Sequence, residues 1–465
     1  MESDLHRPQF HFTPPRHWMN DPNGLVYYKG EYHLFYQHSP GFIRHAPNSW
    51  GHAVSADLLR WQHLGEAIEP DDYGFIWSGS AVVDHRNTSG LKNGTEDPIV
   101  AVYTTGGFGD PPSRCVQSIA YSTDRGRSFH RYPGNPVLGH LRAENRDPKI
   151  VWHEPTCTWI MVLYLDGSTF GLFGSANLTE WHRLGEVEVS DTGECPDFFE
   201  LPVDGSPADT RWVFWGGSGR CLIGSFDGQT FTPETPVIRV EHGPNGYAAQ
   251  TWSDVPRADG RRIQVSWMAG GRYPCMPFNQ QLSFPVELSL HRTNEGIRLF
   301  RSPVRELDRL HGRVHQWSEL TLVPGRDRPG LFRLHGPRWK ERTEELRPTI
   351  VPPTTHDLFD IRGELTADDE ACFVALIRGH ELRYEVNGAK VTYLEQDVPA
   401  PSDEDRVFRF RILVDRTSLE LFIGGGQVSA SCCFVPAAED HPLEFWAADG
   451  RVTIRSLVVV EIERP

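Results

Sequence analysis

Three acidic residues stand in similar local settings, far apart in a chain of 465 residues. Asp21 lies in Trp18-Met19-Asn20-Asp21-Pro22-Asn23-Gly24, Asp147 in Arg146-Asp147-Pro148, and Glu194 in Glu194-Cys195-Pro196-Asp197. Proline presets φ and glycine accepts φ > 0, so Asp-Pro and Asn-Gly are turn formers. The apolar run Leu25-Val26-Tyr27-Tyr28 follows the first motif at once, which places Asp21 where a turn feeds a strand. Taken singly, each acid could be a turn cap bonded to its own backbone. Brought together, they could cleave a glycosidic bond. One carboxyl protonates the leaving oxygen, and another attacks the anomeric carbon or activates water. Crowding raises the pKa of one carboxyl and keeps it protonated as the acid. A third can hold sugar hydroxyls and offset oxocarbenium charge.

Convergence of the three needs a repeating scaffold, and the chain carries a repeat. Four segments run from a short strand ending in Ser, through a polar turn, to an aromatic: Gly51–Ser55 to Trp61, Ser118–Ser122 to Phe129, Gly171–Ser175 to Trp181, and Cys221–Ser225 to Phe231. Each turn holds Asp or Asn two residues after the Ser, at Asp57, Asp124, Asn177 and Asp227. The spacing, roughly 50–70 residues, suits a four-stranded propeller blade. A fifth unit without the corner follows in Ala249–Val255, Ile263–Met268 and Leu282–Leu290. The reading is all-β: a five-bladed β-propeller over residues 1–299, a linker over 300–350 and a β-sandwich over 351–465, whose short alternating strands are separated by turns such as Asn387-Gly388 and Asp449-Gly450. In a propeller the first strand of each blade lines the channel. The entries are Asn20-Asp21-Pro22, Trp77-Ser78-Gly79-Ser80, Arg146-Asp147-Pro148, Glu194-Cys195-Pro196 and Tyr247-Ala248-Ala249-Gln250, and three of the five carry an acid. The sandwich half shows no cluster of candidate catalytic residues; its expected role is packing or weak carbohydrate contact.

Composition narrows the partners. A net charge of −16 argues against nucleic acid or an anionic membrane. No apolar run is long enough to span a bilayer, and the first residues lack a basic-then-apolar leader, so the expected compartment is the cytoplasm, or the exterior if the chain is a processed form. The eight cysteines have no Cys-x-x-Cys spacing and read as reduced thiols, with Cys432 and Cys433 on opposite faces of one strand. The 21 histidines are dispersed, so neither a metal nor another cofactor is expected. Oligomeric state is not legible in the sequence.

The four motifs Trp18–Gly24, Trp77-Ser78-Gly79-Ser80-Ala81, Arg146-Asp147-Pro148 and Glu194-Cys195-Pro196-Asp197 resemble, in order and spacing, glycoside hydrolase family 32, the family of invertases, levanases and inulinases. Asp415–Phe422 resembles that family's C-terminal sandwich. The resemblance implies cleavage of terminal β-fructofuranosyl groups from sucrose or fructans with retention. It makes Asp21 the nucleophile, Glu194 the acid/base and Asp147 the transition-state stabiliser. Asn20, Gln37, Ser78 and Arg146 would bind the fructosyl unit, with Trp50 and Trp77 in the pocket wall. Two departures stand out. Many members carry a Trp-Gly pair between the positions of Gln37 and Trp50, and this chain does not; Phe42 is the candidate to replace that aromatic lid. Trp77 stands where Phe is more usual. A fructosyltransferase of the same family and a non-catalytic fructan-binding protein are the alternatives. Loss of the nucleophile or acid would mark the latter, and both are present.

Overall fold

The structure is a computed structural model that describes residues 5–45, 48–107, 114–324, 349–402, 405–436 and 443–465. Five blades of antiparallel strands follow one another around an axis. The first comprises His17–Tyr28, Glu31–Ser39, Ser49–Ser55 and Gln62–Ile68; the second Phe75–Val83, Ile99–Gly106, Val116–Ser122 and His130–Arg131. The third runs from Arg146–His153 to His182–Glu188, and the fourth from Asp197–Val203 to Phe231–Pro233. The fifth comprises Gly246–Thr251, Arg262–Met268, Val286–Thr293 and Gly296–Pro303. Inner strands are buried on both faces because each blade is packed between two others, which is why Ile99–Gly106 reads as an unbroken Ile-Val-Ala-Val-Tyr-Thr-Thr-Gly run. The outer strand Gln62–Ile68 has solvent on one side and carries Gln, His and Glu.

The repeated Ser corner uses one device, an Asp or Asn oxygen that accepts two backbone N–H groups, with the Asp124 acceptances one residue further along than the others. Asp57 Oδ1 accepts from the backbone N–H of Leu59 and Arg60, Asp124 Oδ1 from Arg127 and Ser128, Asn177 Oδ1 from Thr179 and Glu180, and Asp227 Oδ1 from Gln229 and Thr230. The residue after each acid or amide has positive φ: Leu58, Arg125, Leu178 and Gly228. The ring closes through Tyr27 N–H to Ser253 O, Ser253 N–H to Leu25 O and Leu282 N–H to Phe12 O. The short strand Phe278–Asn279 also lies parallel to His17–Trp18.

The turn expected before Leu25 is a strand instead. His17–Tyr28 is continuous, and the turn-forming residues produce two register shifts against its neighbour, between Met19 and Pro22 and between Asn23 and Val26. Gly24 has φ +54°, and a Cβ there would lie 2.7 Å from the Phe35 ring and 2.8 Å from that of Trp50, so no other residue fits. The other inner strands are irregular at the same level. Register shifts fall between Ile76 and Gly79 and between Tyr247 and Gln250, and positive φ occurs at Asp147, Cys195 and Ala248.

The sandwich is two six-stranded sheets, one ordered from His311–Leu322 through Val452–Ile462 to Val428–Cys433, the other from Thr349–Ile350 to Gln396–Pro399. The linker expected over 300–350 is corrected at its start. Gly296–Pro303 is the outer strand of the fifth blade, so the propeller runs past 299, and His311–Leu322 pairs with Val452–Ile462 as a sandwich strand. Its polar residues conceal it, because only one face of an edge strand is buried. Residues 325–348 lie outside the described residues. Cys432 points into the sandwich core, while Cys433 faces the propeller with its N–H on Asn245 Oδ1. None of the eight cysteines is bonded to another.

The lobes share a core: Leu358, Leu413, Phe422 and Ile462 of the sandwich pack in one cluster with propeller residues such as Trp215 and Phe284. Two polar clamps flank it. Glu241 bonds Arg301, Ser429 and the N–H of Ser431. His11 is held between Asp415 Oδ2 at 2.9 Å and Glu420 Oε2 at 2.7 Å, with the N–H groups of Gln9, Phe10 and His11 also on Asp415.

Candidate active site

All five inner strands contribute to a cavity on the propeller axis, through Asp21, Ser78, Asp147, Cys195 and Gln250 among others. Asp21 is buried. Ser78 Oγ donates to its Oδ2 at 2.5 Å and Gln37 Nε2 at 3.3 Å. Burial raises its pKa to about 6; the hydrogen bond from Ser78 pulls the other way, and the charge of Glu194 adds to the rise. The Gln37 amide is fully used. Its Oε1 accepts from Asn20 Nδ2 at 2.9 Å and from Asn48 Nδ2, and its Nε2 serves both Asp21 and Ser78. Asn20 Oδ1 in turn accepts from the Trp18 indole at 3.1 Å. Asn20, Gln37 and Ser78 thus form one network that aims Asp21.

Asp147 is also buried, with its backbone N–H on Thr104 Oγ1 at 2.9 Å. Burial first, then the negative charge of Glu194, raises its pKa well above the usual carboxylate range despite Arg146 alongside. Glu194 is held from two sides. Arg146 bonds its Oε2 through Nε at 2.7 Å and also through Nη2, and the Tyr247 hydroxyl donates to Oε1 at 3.1 Å. Arg146 is fixed by Glu144 at 2.6 Å and by stacking 5.0 Å from the Tyr164 ring centroid.

The structure brings Asp21, Asp147, Glu194, Asn20, Gln37, Ser78 and Arg146 together, with one change of register. Proline directly follows Asp21 and Asp147, but it stands two residues after Glu194. The residue equivalent to the two aspartates is therefore Cys195, whose Sγ lies 3.6 Å from Asp21 Oδ2 and 3.5 Å from Asp147 Oδ2. Glu194 stands one residue nearer the mouth, its side chain 28% exposed against 6% for Asp147. The carboxyl of Glu194 is thus open to solvent, while Asp21 and Asp147 are buried.

Trp50 does not belong to the pocket wall. It is 0% exposed, packed on Phe35 and Tyr103, and its indole N–H bonds Trp77 O at 2.9 Å. It supports the backbone beside Ser78 from behind. Trp77 is partly exposed, its N–H on Gly106 O at 3.1 Å. Phe42, the candidate for the lid, is 43% exposed, and His45 from the same loop stacks on Trp77, with centroids 6.1 Å apart.

Sequence reasoning did not single out Cys195, Tyr247, Asn48 and His45 as site residues. The first two sit in strand-entry motifs already recognised, so the repeat was their signal. Beneath the acids, Lys149 Nζ pairs with Asp197 Oδ1 at 2.9 Å and bonds Thr251 O at 3.0 Å, tying the third, fourth and fifth inner strands together. Among the described residues, no group of three or more His, Cys, Asp or Glu is placed to hold a metal ion.

Two acids at a cavity floor, with a third at its mouth held by a guanidinium and a phenol, are equipped for acid–base and nucleophilic cleavage of a glycoside. The family model described as the glycosyl hydrolases family 32 N-terminal domain matches residues 11–303, and that of the family 32 C terminal matches residues 378–461. The chain belongs to glycoside hydrolase family 32. This family 32 enzyme is 36% identical over 505 residues to a levanase of Bacillus subtilis (strain 168), covering 99% of this chain and 71% of that one. It is 31% identical to a levanase of Bacillus sp. (strain L7), covering 98% of this chain and 52% of that one. Its fold matches a β-fructofuranosidase from Schwanniomyces occidentalis complexed with fructosyl-erythritol, with TM-score 0.83, 26% identity and 98% of both chains covered. The fold is that of the family's propeller-plus-sandwich enzymes, and the family 32 chain is a glycoside hydrolase of the β-fructofuranosidase class.

Proposed function

We propose that the enzyme releases terminal β-D-fructofuranosyl units from sucrose and fructans by double displacement with retention. Asp21 is the nucleophile, Glu194 the acid/base and Asp147 the acid that holds sugar hydroxyls and offsets oxocarbenium charge. The observation that carries this reading is the division of the three acids. Asp21 and Asp147 lie buried at the floor, each touching Cys195 Sγ, and Glu194 stands at the mouth in the grip of Arg146 and Tyr247. The fructosyl unit sits over Asp21, where Asn20, Gln37, Ser78 and Arg146 orient it, and the leaving sugar lies toward solvent beside Glu194. Glu194 protonates the departing oxygen as Asp21 Oδ attacks the anomeric carbon. It then takes a proton from the water that releases fructose. The levanase relatives favour fructan chains among the substrates.

Asp21→Ala and Glu194→Ala are each expected to lower kcat by roughly 10³-fold or more with unchanged melting temperatures. Near wild-type rates in either would sink the assignment. Azide should restore turnover to Asp21→Gly, and fast NMR should show β-fructose as the first product. Initial α-fructose would mean that water, not Asp21, attacks the anomeric carbon. Side-by-side product analysis on sucrose, levan and inulin separates hydrolysis from transfer.

A further inference from the structure

The loop between Gln37 and Trp50, where this chain lacks the Trp-Gly pair, puts an imidazole where an aromatic lid is expected. His45 is exposed at the rim, stacked on Trp77 at an interplanar angle of 30° and edge-on to Trp18 with centroids 6.2 Å apart. Its Nε2 lies 3.3 Å from Asn48 Nδ2. The direction of that bond is decided by the network beneath it. Asn48 Oδ1 accepts from Ser39 Oγ at 2.7 Å, and its Nδ2 already gives one hydrogen to Gln37 Oε1. The second Nδ2 hydrogen is therefore the one shared with His45, so Nε2 accepts and the ring hydrogen sits on Nδ1. The part of the ring packed against Trp77 and Trp18 is shielded from water, which lowers the pKa of His45 and favours the neutral ring. Nδ1–H has no partner among the described residues. Through Asn48 and Gln37 the imidazole is joined to Asp21, whereas it approaches Glu194 only through a series of rings, Trp18, Trp267 and Tyr247. Its hydrogen-bond path thus leads to Asp21 and not to Glu194.

We propose that His45, held by Asn48 through Nε2, presents Nδ1–H to the bound fructosyl unit and donates a hydrogen bond to one of its hydroxyls. It is a specificity-determining contact in place of an apolar lid. The inference rests on the β-fructofuranosidase reading, because it requires a fructosyl unit over Asp21. A contact with that unit is common to every substrate; a contact with the leaving sugar is not. Two consequences follow for His45→Phe, which keeps a ring beside Trp77 and removes both nitrogens. The value of kcat/KM should fall about three- to tenfold, by a common factor on sucrose, levan and inulin. Free fructose, titrated by calorimetry, should bind more weakly by a similar factor. His45→Gln, which can still donate from a nearby position, should recover part of the loss. A loss confined to one or two of the three substrates would overturn the proposal by placing His45 against the leaving group, and unchanged kinetics with unchanged fructose affinity would overturn it outright. If the wild-type enzyme turns over none of the three, the functional reading fails, and the fructose titration still decides the contact. Equal affinity in wild type and His45→Phe, or no binding by either, then removes it.

Discussion

At the scale of single residues, the site is governed by burial and by the donors that answer it. Asp21 must be ionised to attack, yet burial holds its pKa at about 6, with Ser78 supplying the hydrogen bond that limits the rise. Removing a donor to a carboxylate favours its protonated form. In Ser78→Ala the acid limb of kcat/KM should therefore move to higher pH from about 6, with a loss of about tenfold at low pH and less above neutrality. A pH–rate profile of the free enzyme checks this; a uniform loss at every pH would mean that Ser78 only positions substrate. This scale was also where the sequence was least legible. Trp50 and Trp77 are the same residue type in adjacent motifs, but one is wholly buried and the other lines the rim. An indole's apolar surface suits either place, so composition could not separate them. The offset of Glu194 from the two aspartates was visible in the spacing to proline, but its consequence was not. Glu194 precedes the strand Asp197–Val203 and stands next to Cys195 with its positive φ, where side-chain direction does not follow strand alternation.

At the scale of elements, the scaffold was far more legible. In four blades the Ser corner recurs as an Asp or Asn oxygen that accepts two backbone N–H groups, followed by a residue of positive φ, so its sequence signature is an image of backbone geometry. The fifth blade lacks the corner because its third and fourth strands are joined by the tight Asn294-Glu295 turn instead. The strand His311–Leu322 was hidden, since an edge strand with one wet face resembles a polar linker. What keeps the inner strands in place beneath the acids is the buried Lys149–Asp197 pair with Thr251. Breaking a buried pair from one side leaves an uncompensated charge and costs about 3–5 kcal/mol. Lys149→Met should lower stability by about that amount in urea unfolding. Lys149→Met combined with Asp197→Leu should recover most of it. A double variant no more stable than the single one would show that the pair's worth lies in its bonds to Thr251.

At the scale of the whole molecule, the lobes are one cooperative body, because they share a core and are clamped by His11. Burial alone would lower the pKa of His11, but its hydrogen bonds to Asp415 and Glu420 raise it to about 9. An unfolded histidine titrates near 6.5. A histidine whose folded pKa is raised contributes stability that is complete below the unfolded value and is lost as pH rises through the folded one. The urea midpoint should thus decline between about pH 6.5 and about pH 9 in the wild type. In His11→Leu the unfolding free energy should be lower by several kcal/mol, with that decline flattened. A single unfolding transition should persist throughout; two transitions would show that the lobes unfold separately.

The clamp has a consequence in time as well as in energy. Gln9, Phe10 and His11 close onto Asp415, a partner more than four hundred residues away. During synthesis the first residues of the propeller are made long before that partner exists. The segment that leads into the Asp21 strand meets its propeller partners first, with Phe12 O on Leu282 N–H and the Phe10 ring on Phe284. Its bonds to Asp415 must wait until almost the whole chain has emerged. A nascent chain can wind and close its blades in order, and the clamp to the far lobe is the last contact its opening segment makes.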